Sequence, residues 1–379
     1  MYVVRRIAVG LLLSLLASLA FESAAKEPDS PKIQIALLLD TSNSMDGLIG
    51  QAKSQLWRIV NLFAHCKREG KTPIVEVSLY EYGNSGLPEA AGFIRQVLPF
   101  TTDLDAVSEQ LFILRTKGGN EFCGMVIDRA VRELSWSDGK NDLKAIFIAG
   151  NEPFTQGSVD YRSACELAVG KGIGVNTIHC GDRPSGESGG WQSAALMGGG
   201  TFSSIDQNRI VVTIETPQDK EIIRLGVEIN KTYIAYGSQG KTGELRQTAQ
   251  DANSSSVSTS SLVDRCFAKC SDNYKNRHWD LVDAIKEKIV KLEELRDEVL
   301  PESMRKMSLE ERRNFVAACA KRRADIQNEV TKLQIERQKY IDAEMRRRGD
   351  KDDESSLDDA VIGVLRDRAR KLGFEFEGP

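Results

Sequence analysis

The chain has 379 residues, enough for two or three domains. Its 51 Lys and Arg are mixed with 55 Asp and Glu for a net charge of −4, so no basic face argues for nucleic acid. Arg5-Arg6 precede an apolar run from Ile7 to Phe21, and Ser23-Ala24-Ala25 follow with small residues at −3 and −1. This is the plan of a secretory signal peptide over residues 1–25. The run is shorter than the ~20 residues of a comfortable span, and no Cys stands near the cleavage point to carry a lipid. No later segment reads as transmembrane, so the expected location is periplasmic or extracellular.

The next feature is the run Ile33-Gln-Ile-Ala-Leu-Leu-Leu followed by Asp40, Ser42 and Ser44. A short apolar run bounded by turn residues reads as a strand buried on both faces of a parallel sheet. Ligands of open α/β sheets bind at the carboxyl ends of such strands. Three hard oxygen donors there suit Mg²⁺, which prefers few protein carboxylates. The alternative is a turn that caps the helix expected over 48–63. Onward, 71–82 and 93–100 read as strands joined by a Gly/Pro loop. Helices are expected over 103–114, 121–134 and 161–170, and strands over 143–149, 173–180 and 200–205. Six strands alternating with helices predict a three-layer α/β sandwich with a mainly parallel sheet.

The Asp-x-Ser-x-Ser spacing of Asp40, Ser42 and Ser44, between a strand and an amphipathic helix, resembles the von Willebrand factor A family and its metal-ion-dependent adhesion site. The likeness runs to about Asp206 and extends at most to Gly237. It implies the same fold, with the second hairpin strand antiparallel at one edge. It also implies a Mg²⁺ site (Mn²⁺ or Ca²⁺ as alternatives), with Asp40 orienting metal-bound water and Ser42 and Ser44 coordinating directly. Two departures stand out. The glycine-rich loop that supplies a threonine in the family has Asn120 and Glu121 in that neighbourhood, with Thr116 ahead of the glycines. Gly150 stands about where the family has a metal-site Asp, followed by Asn151 and Glu152. Glu121 and Glu152 are therefore the expected replacement donors.

Other candidates read as structural. Adjacent residues on a strand face opposite ways, so His179 and Cys180 are poorly placed to act together. Trp191 reads as cover for an apolar edge, and Gly198 to Gly200 lack a phosphate-loop pattern. Of seven cysteines, an odd number that leaves at least one unpaired, Cys66, Cys123, Cys165 and Cys180 read as small buried hydrophobes. Cys266 and Cys270 with His278 and Cys319 are wide of the usual zinc spacing.

The first domain is expected over 32–236, ending in a helix over 219–236 that docks on the sandwich. Residues 237–261, rich in Gly, Ser, Thr, Gln and Asn, read as a flexible linker. Residues 262–348 read as an antiparallel, coiled-coil-like helical hairpin. Its seam positions include Val282, Ile285, Ile289 and Leu292, then Val316, Cys319, Ile326, Val330, Leu333 and Tyr340, with Arg323 and Arg337 interrupting. Ser308 to Glu311 form a capping box that opens its second helix. Residues 349–379 hold a short terminal helix and tail. The favoured function is an exported, non-enzymatic module that binds a protein partner at the metal-bearing sheet edge. The helical tail would dock, self-associate or hold a second partner. A metal-assisted hydrolase and a metal-free structural protein are the alternatives.

Overall fold

The computed structural model describes residues 30–64, 66–206, 208, 214–348 and 357–376. The expected signal peptide lies outside them, as do residues 349–356 of the tail. In chain order the α/β part runs β1 (Lys32–Asp40), α1 (Asp46–Asn61), β2 (Cys66–Lys67), β3 (Ile74–Tyr82), β4 (Ile94–Thr101), α2 (Leu104–Ile113), α3 (Cys123–Glu133) and β5 (Leu143–Gly150). It continues with α4 (Tyr161–Gly170), β6 (Gly174–Cys180), α5 (Arg183–Ser188), α6 (Trp191–Met197) and β7 (Gly199–Ile205). The helical part comprises α7 (Asp219–Asn230), α8 (Gly240–Val257), α9 (Thr259–Cys270), α10 (Leu281–Lys286), α11 (Glu302–Arg305) and α12 (Leu309–Arg348). Then come α13 (Leu357–Lys371) and β8 (Glu375–Phe376).

Six strands form one sheet in the order β4-β3-β1-β5-β6-β7, parallel except for β4, which pairs antiparallel with β3 at one edge. Helices cover both faces, so β5 and β6 are buried throughout and β1 from Ile33 onward, which is why they read as continuous apolar runs. Alternation divides the core. Ile33, Ile35, Leu37 and Leu39 pack with α1 and α2, whereas Ala36 and Leu38 pack with α3, α4 and α6.

The first face is completed from far along the chain. Leu357, Val361, Leu365 and Ala369 of α13, each four residues apart, join the cluster of Phe147, Ile178, Ile205 and the α1 side chains. Beyond α13, β8 pairs with β2, and Phe376 lies 6.3 Å from Phe63. Residues 214–348 are thus inserted between the last strand and the last helix of the sandwich.

Two expectations about this insertion are corrected. Residues 237–261 are not a flexible linker; α8 occupies most of the segment. Its buried side is polar and small: Ser254 accepts from Trp57 Nε1 (3.0 Å), Gln250 from Ser108 (2.9 Å), and Gln247 donates to Tyr274 (3.2 Å). Gly243 lies flat on Trp279, where a Cβ would come within 2.2 Å of the ring. A helix held by amides and hydroxyls leaves no apolar period in the sequence.

Residues 262–348 are likewise not a two-helix hairpin. Only α12 is long, and the 281–305 stretch breaks into short helices and turns. The buried stripe of α12 is Val316, Arg323, Ile326, Val330 and Arg337, and it faces α7, α9 and α10. Arg323 belongs to this stripe because its Nη1 reaches Asp280 and Asp283, both at 2.8 Å, while its Nε donates to Thr232 Oγ1. Arg337 likewise pairs with Asp219 at 2.8 Å. Among the described residues no helix is long and apolar enough to cross a membrane.

Candidate oxygen-rich site at the sheet edge

The sheet order reverses at β1: the chain moves from β1 to β3 on one side and later to β5 on the other. The crevice between the carboxyl ends of β1 and β5 is therefore the switch point at which such sheets bind ligands. Asp40 ends β1 and Gly150 ends β5, so the loops that follow both strands meet there.

Asp40 is fully buried. Its Oδ1 accepts from the Ser42 N–H at 2.7 Å, which folds the loop back over the strand end. Ser42 Oγ lies 3.2 Å from Ser44 Oγ, and Ser44 Oγ accepts from Asn151 Nδ2 at 3.1 Å. Glu121, 4% exposed, comes from the loop before α3, and its carboxyl hydrogen-bonds to the Asp40 carboxyl and to the Ser42 side chain. Gly83 and Gly150 make room for the pair. A Cβ on Gly83 would stand 2.7 Å from Glu121 Cγ and 2.8 Å from Asp40 Oδ1. One on Gly150 would stand 2.5 Å from Tyr82 Oη and 3.0 Å from Asp40 Oδ2, so no side chain fits there.

Burial raises the pKa of both acids. Glu121 is pushed up to about 9, first by desolvation and then by the charge of Asp40. Asp40 is also raised by its burial, against the hydrogen bonds from Glu121 and Ser42 that favour its ionised form. At neutral pH Glu121 therefore keeps its proton beside Asp40.

The carboxyl–carboxyl contact apart, three buried oxygens here accept from no amide or hydroxyl donor: Asp40 Oδ2, Glu121 Oε2 and Asn151 Oδ1. With the hydroxyls of Ser42 and Ser44 they form a set of hard oxygen donors that fits a small divalent cation. The fit rests on two carboxylates, since among the described residues no three His, Cys, Asp or Glu side chains gather as a metal group.

The expected site residues divide accordingly. Asp40, Ser42, Ser44 and Glu121 come together. Glu152 does not: it is exposed, takes a hydrogen bond from Gln156 at 3.4 Å, and its carbonyl accepts from Trp191 Nε1. Its neighbour Asn151, the donor that sequence reasoning passed over, turns inward instead. The signal available was position alone, the first side chain after the strand-ending glycine. Thr116 bonds to Asp46 at the rim, and Asn120 is exposed. His179 packs against Trp191 at 5.6 Å, with Nδ1 buried and unpartnered, while Cys180 joins the opposite core. Cys266, Cys270, Cys319 and His278 do not gather into a metal group, and all seven cysteines are free thiols.

Sheet order, the antiparallel edge strand and the Asp40-Ser42-Ser44 loop at the end of β1 all agree with the resemblance. The fold is von Willebrand factor A-like. No family model matches the sequence, and no curated protein matches it. Similar solved structures include the conserved hypothetical protein BatB from Bacteroides thetaiotaomicron, at 20% identity over 46% of this chain and 90% of that one, with a TM-score of 0.35. The SpRpn10 VWA domain is similar at 15% identity over 46% and 88%, TM-score 0.35. The pilus adhesin SpaC from Lactobacillus rhamnosus GG is similar at 11% over 48% and 29%, TM-score 0.34. The A-type unit of this chain is discontinuous, since residues 32–205 are completed by α13.

Proposed function

We propose that the A-type unit is a non-enzymatic, divalent-cation-dependent protein-binding module of an exported protein. The observation that carries this reading is the convergence of three buried oxygens on Asp40, Glu121 and Asn151, none accepting from an amide or hydroxyl donor, beside two serine hydroxyls at the sheet's switch point. Asp40, Glu121, Ser42, Ser44 and Asn151 would hold Mg²⁺, with Mn²⁺ or Ca²⁺ as substitutes. When bound, the cation supplies an electrophilic point open to an oxygen ligand of a partner. The protein's own part is to present that point on a rigid strand end and to give up the proton that Glu121 holds beside Asp40. The Arg5-Arg6 segment with its apolar run supports export.

Calorimetric titration with Mg²⁺ tests the site. The parent is expected to take up about one equivalent with proton release, and Asp40→Ala to take up none. Equal heats from the two proteins would remove the site.

The proton that Glu121 keeps also favours a second reading, in which the pair is stable without a cation and the domain binds as a metal-free scaffold. Undiminished partner capture in excess chelator would select that reading.

A further inference from the structure

Beside the nest lies an open cleft of about 590 Å³ that shares a single residue with the cation site. Asn151 belongs to both: its side chain bonds to Ser44 in the nest and lines the near end of the cleft. Thr155, Ser185, Ser188 and Ser193 line much of the remainder, together with Arg162, Glu187, Gly189 and Gly190. Ser185 Oγ donates to Asp182, Ser188 Oγ donates to the Ser185 carbonyl and Ser193 Oγ accepts from Tyr161, each with hydrogen-bonding capacity left over, so the surface suits the polar backbone of an extended polypeptide.

The cleft is preformed. Phe154 N–H donates to the Gly189 carbonyl at 2.8 Å, and Trp191 Nε1 to the Glu152 carbonyl at 2.9 Å. The Phe154 ring packs edge-on against Tyr161 and Trp191, at 5.3 and 4.8 Å. Charge is placed unevenly along the cleft. Glu187 is engaged by Arg183 at 3.0 Å. Arg162 lies over the Tyr161 ring at 4.5 Å, and its one carboxylate contact among the described residues, Asp160 at 3.4 Å, is half exposed and also caps α4. Such an exposed pair is weak, which leaves the guanidinium available to a ligand carboxylate.

We propose that this cleft seats the partner's chain, and that the segment it takes carries two acidic side chains, one for the nest and one for Arg162. The inference rests on the cation reading, which places the first positive point; Arg162 is the second.

Fluorescein-labelled hexapeptides of Gly and Ser with either one Asp, or two Asp separated by one to four residues, are titrated with the full chain in Mg²⁺ and followed by anisotropy. The best two-Asp peptide is expected to bind about tenfold tighter than the one-Asp peptide. Arg162→Gln should shrink that gap to about twofold, whereas Arg162→Lys should keep part of it. Ser188→Trp, which fills the cleft, should weaken both peptides. Equal affinities, a gap untouched by Arg162→Gln, or no peptide binding by protein that takes up Mg²⁺ would overturn the inference. Mg²⁺ calorimetry on the same samples separates the two readings, because a protein that takes up no Mg²⁺ overturns both.

Discussion

Two carboxyls can be buried side by side at the end of β1 because one of them keeps its proton. Glu121 holds it to about pH 9 in the folded chain, against an ordinary value of 4.5. Below about pH 4.5 both the folded and the unfolded chain are protonated there, and this contribution to stability is fully present. As pH rises towards 9 the unfolded chain loses the proton freely while the folded one must strip it from a buried pair, so stability is lost across that window. The urea midpoint in chelator is therefore expected to fall between pH 5 and pH 9, and Glu121→Gln, still able to donate to Asp40, should flatten the fall. Parallel curves for parent and variant would show that the proton is held elsewhere. At this scale the sequence reveals Asp40, Ser42 and Ser44, because a buried strand must end where they stand. It does not separate Asn151 from Glu152. The two are adjacent in a turn whose direction is set by contacts distant in sequence, among them Trp191 Nε1, 39 residues on, to the Glu152 carbonyl and Asn151 Nδ2 to Ser44.

Arginine in the seam of α12 is a matter of partners from other elements. Arg323 is 6% exposed and Asp280 fully buried, so a substitution that strips one side leaves uncompensated charge in the core. Arg323→Met is expected to destabilise the chain by about 3 kcal/mol in urea denaturation. The combination Arg323→Met, Asp280→Asn and Asp283→Asn should recover much of that loss, since it removes the charges together. A loss below about 0.5 kcal/mol for the single variant would mean that water reaches the pair. Legibility follows the same physics. The strands and α1 are visible because apolar burial leaves a period, and the capping box at Ser308 and Glu311 forms as its spacing implies, with Ser308 N–H donating to Glu311 at 2.7 Å. Amide and hydroxyl contacts leave no period, so α8 looks like a linker, and an arginine looks like an interruption until its aspartates are found 40 and 43 residues away.

At the scale of the whole molecule, the decisive contact is made by the helix furthest from the sheet in sequence. The amphipathic pattern of 357–371 predicts a helix, but nothing local reveals that it caps a sandwich whose last strand ended at Ile205. Its docking buries Leu357, Val361, Leu365 and, just beyond it, Phe374, all 5% exposed or less. At about 1.5–3 kcal/mol for each such side chain, this interface contributes roughly 6–12 kcal/mol as an upper bound. That is comparable with the roughly 5–15 kcal/mol net stability of a domain. A chain ending at Arg348 is therefore expected to lose cooperative unfolding and bind a hydrophobic dye, although every strand of the sheet and every donor of the nest is retained. A synthetic peptide of residues 357–376, added in excess, should restore the transition by refilling the groove over Phe147, Ile178 and Ile205. If the shortened chain instead melts cooperatively within a few degrees of the parent, the sandwich is complete without α13, and the helical segment at 214–348 is an appendage rather than an insertion.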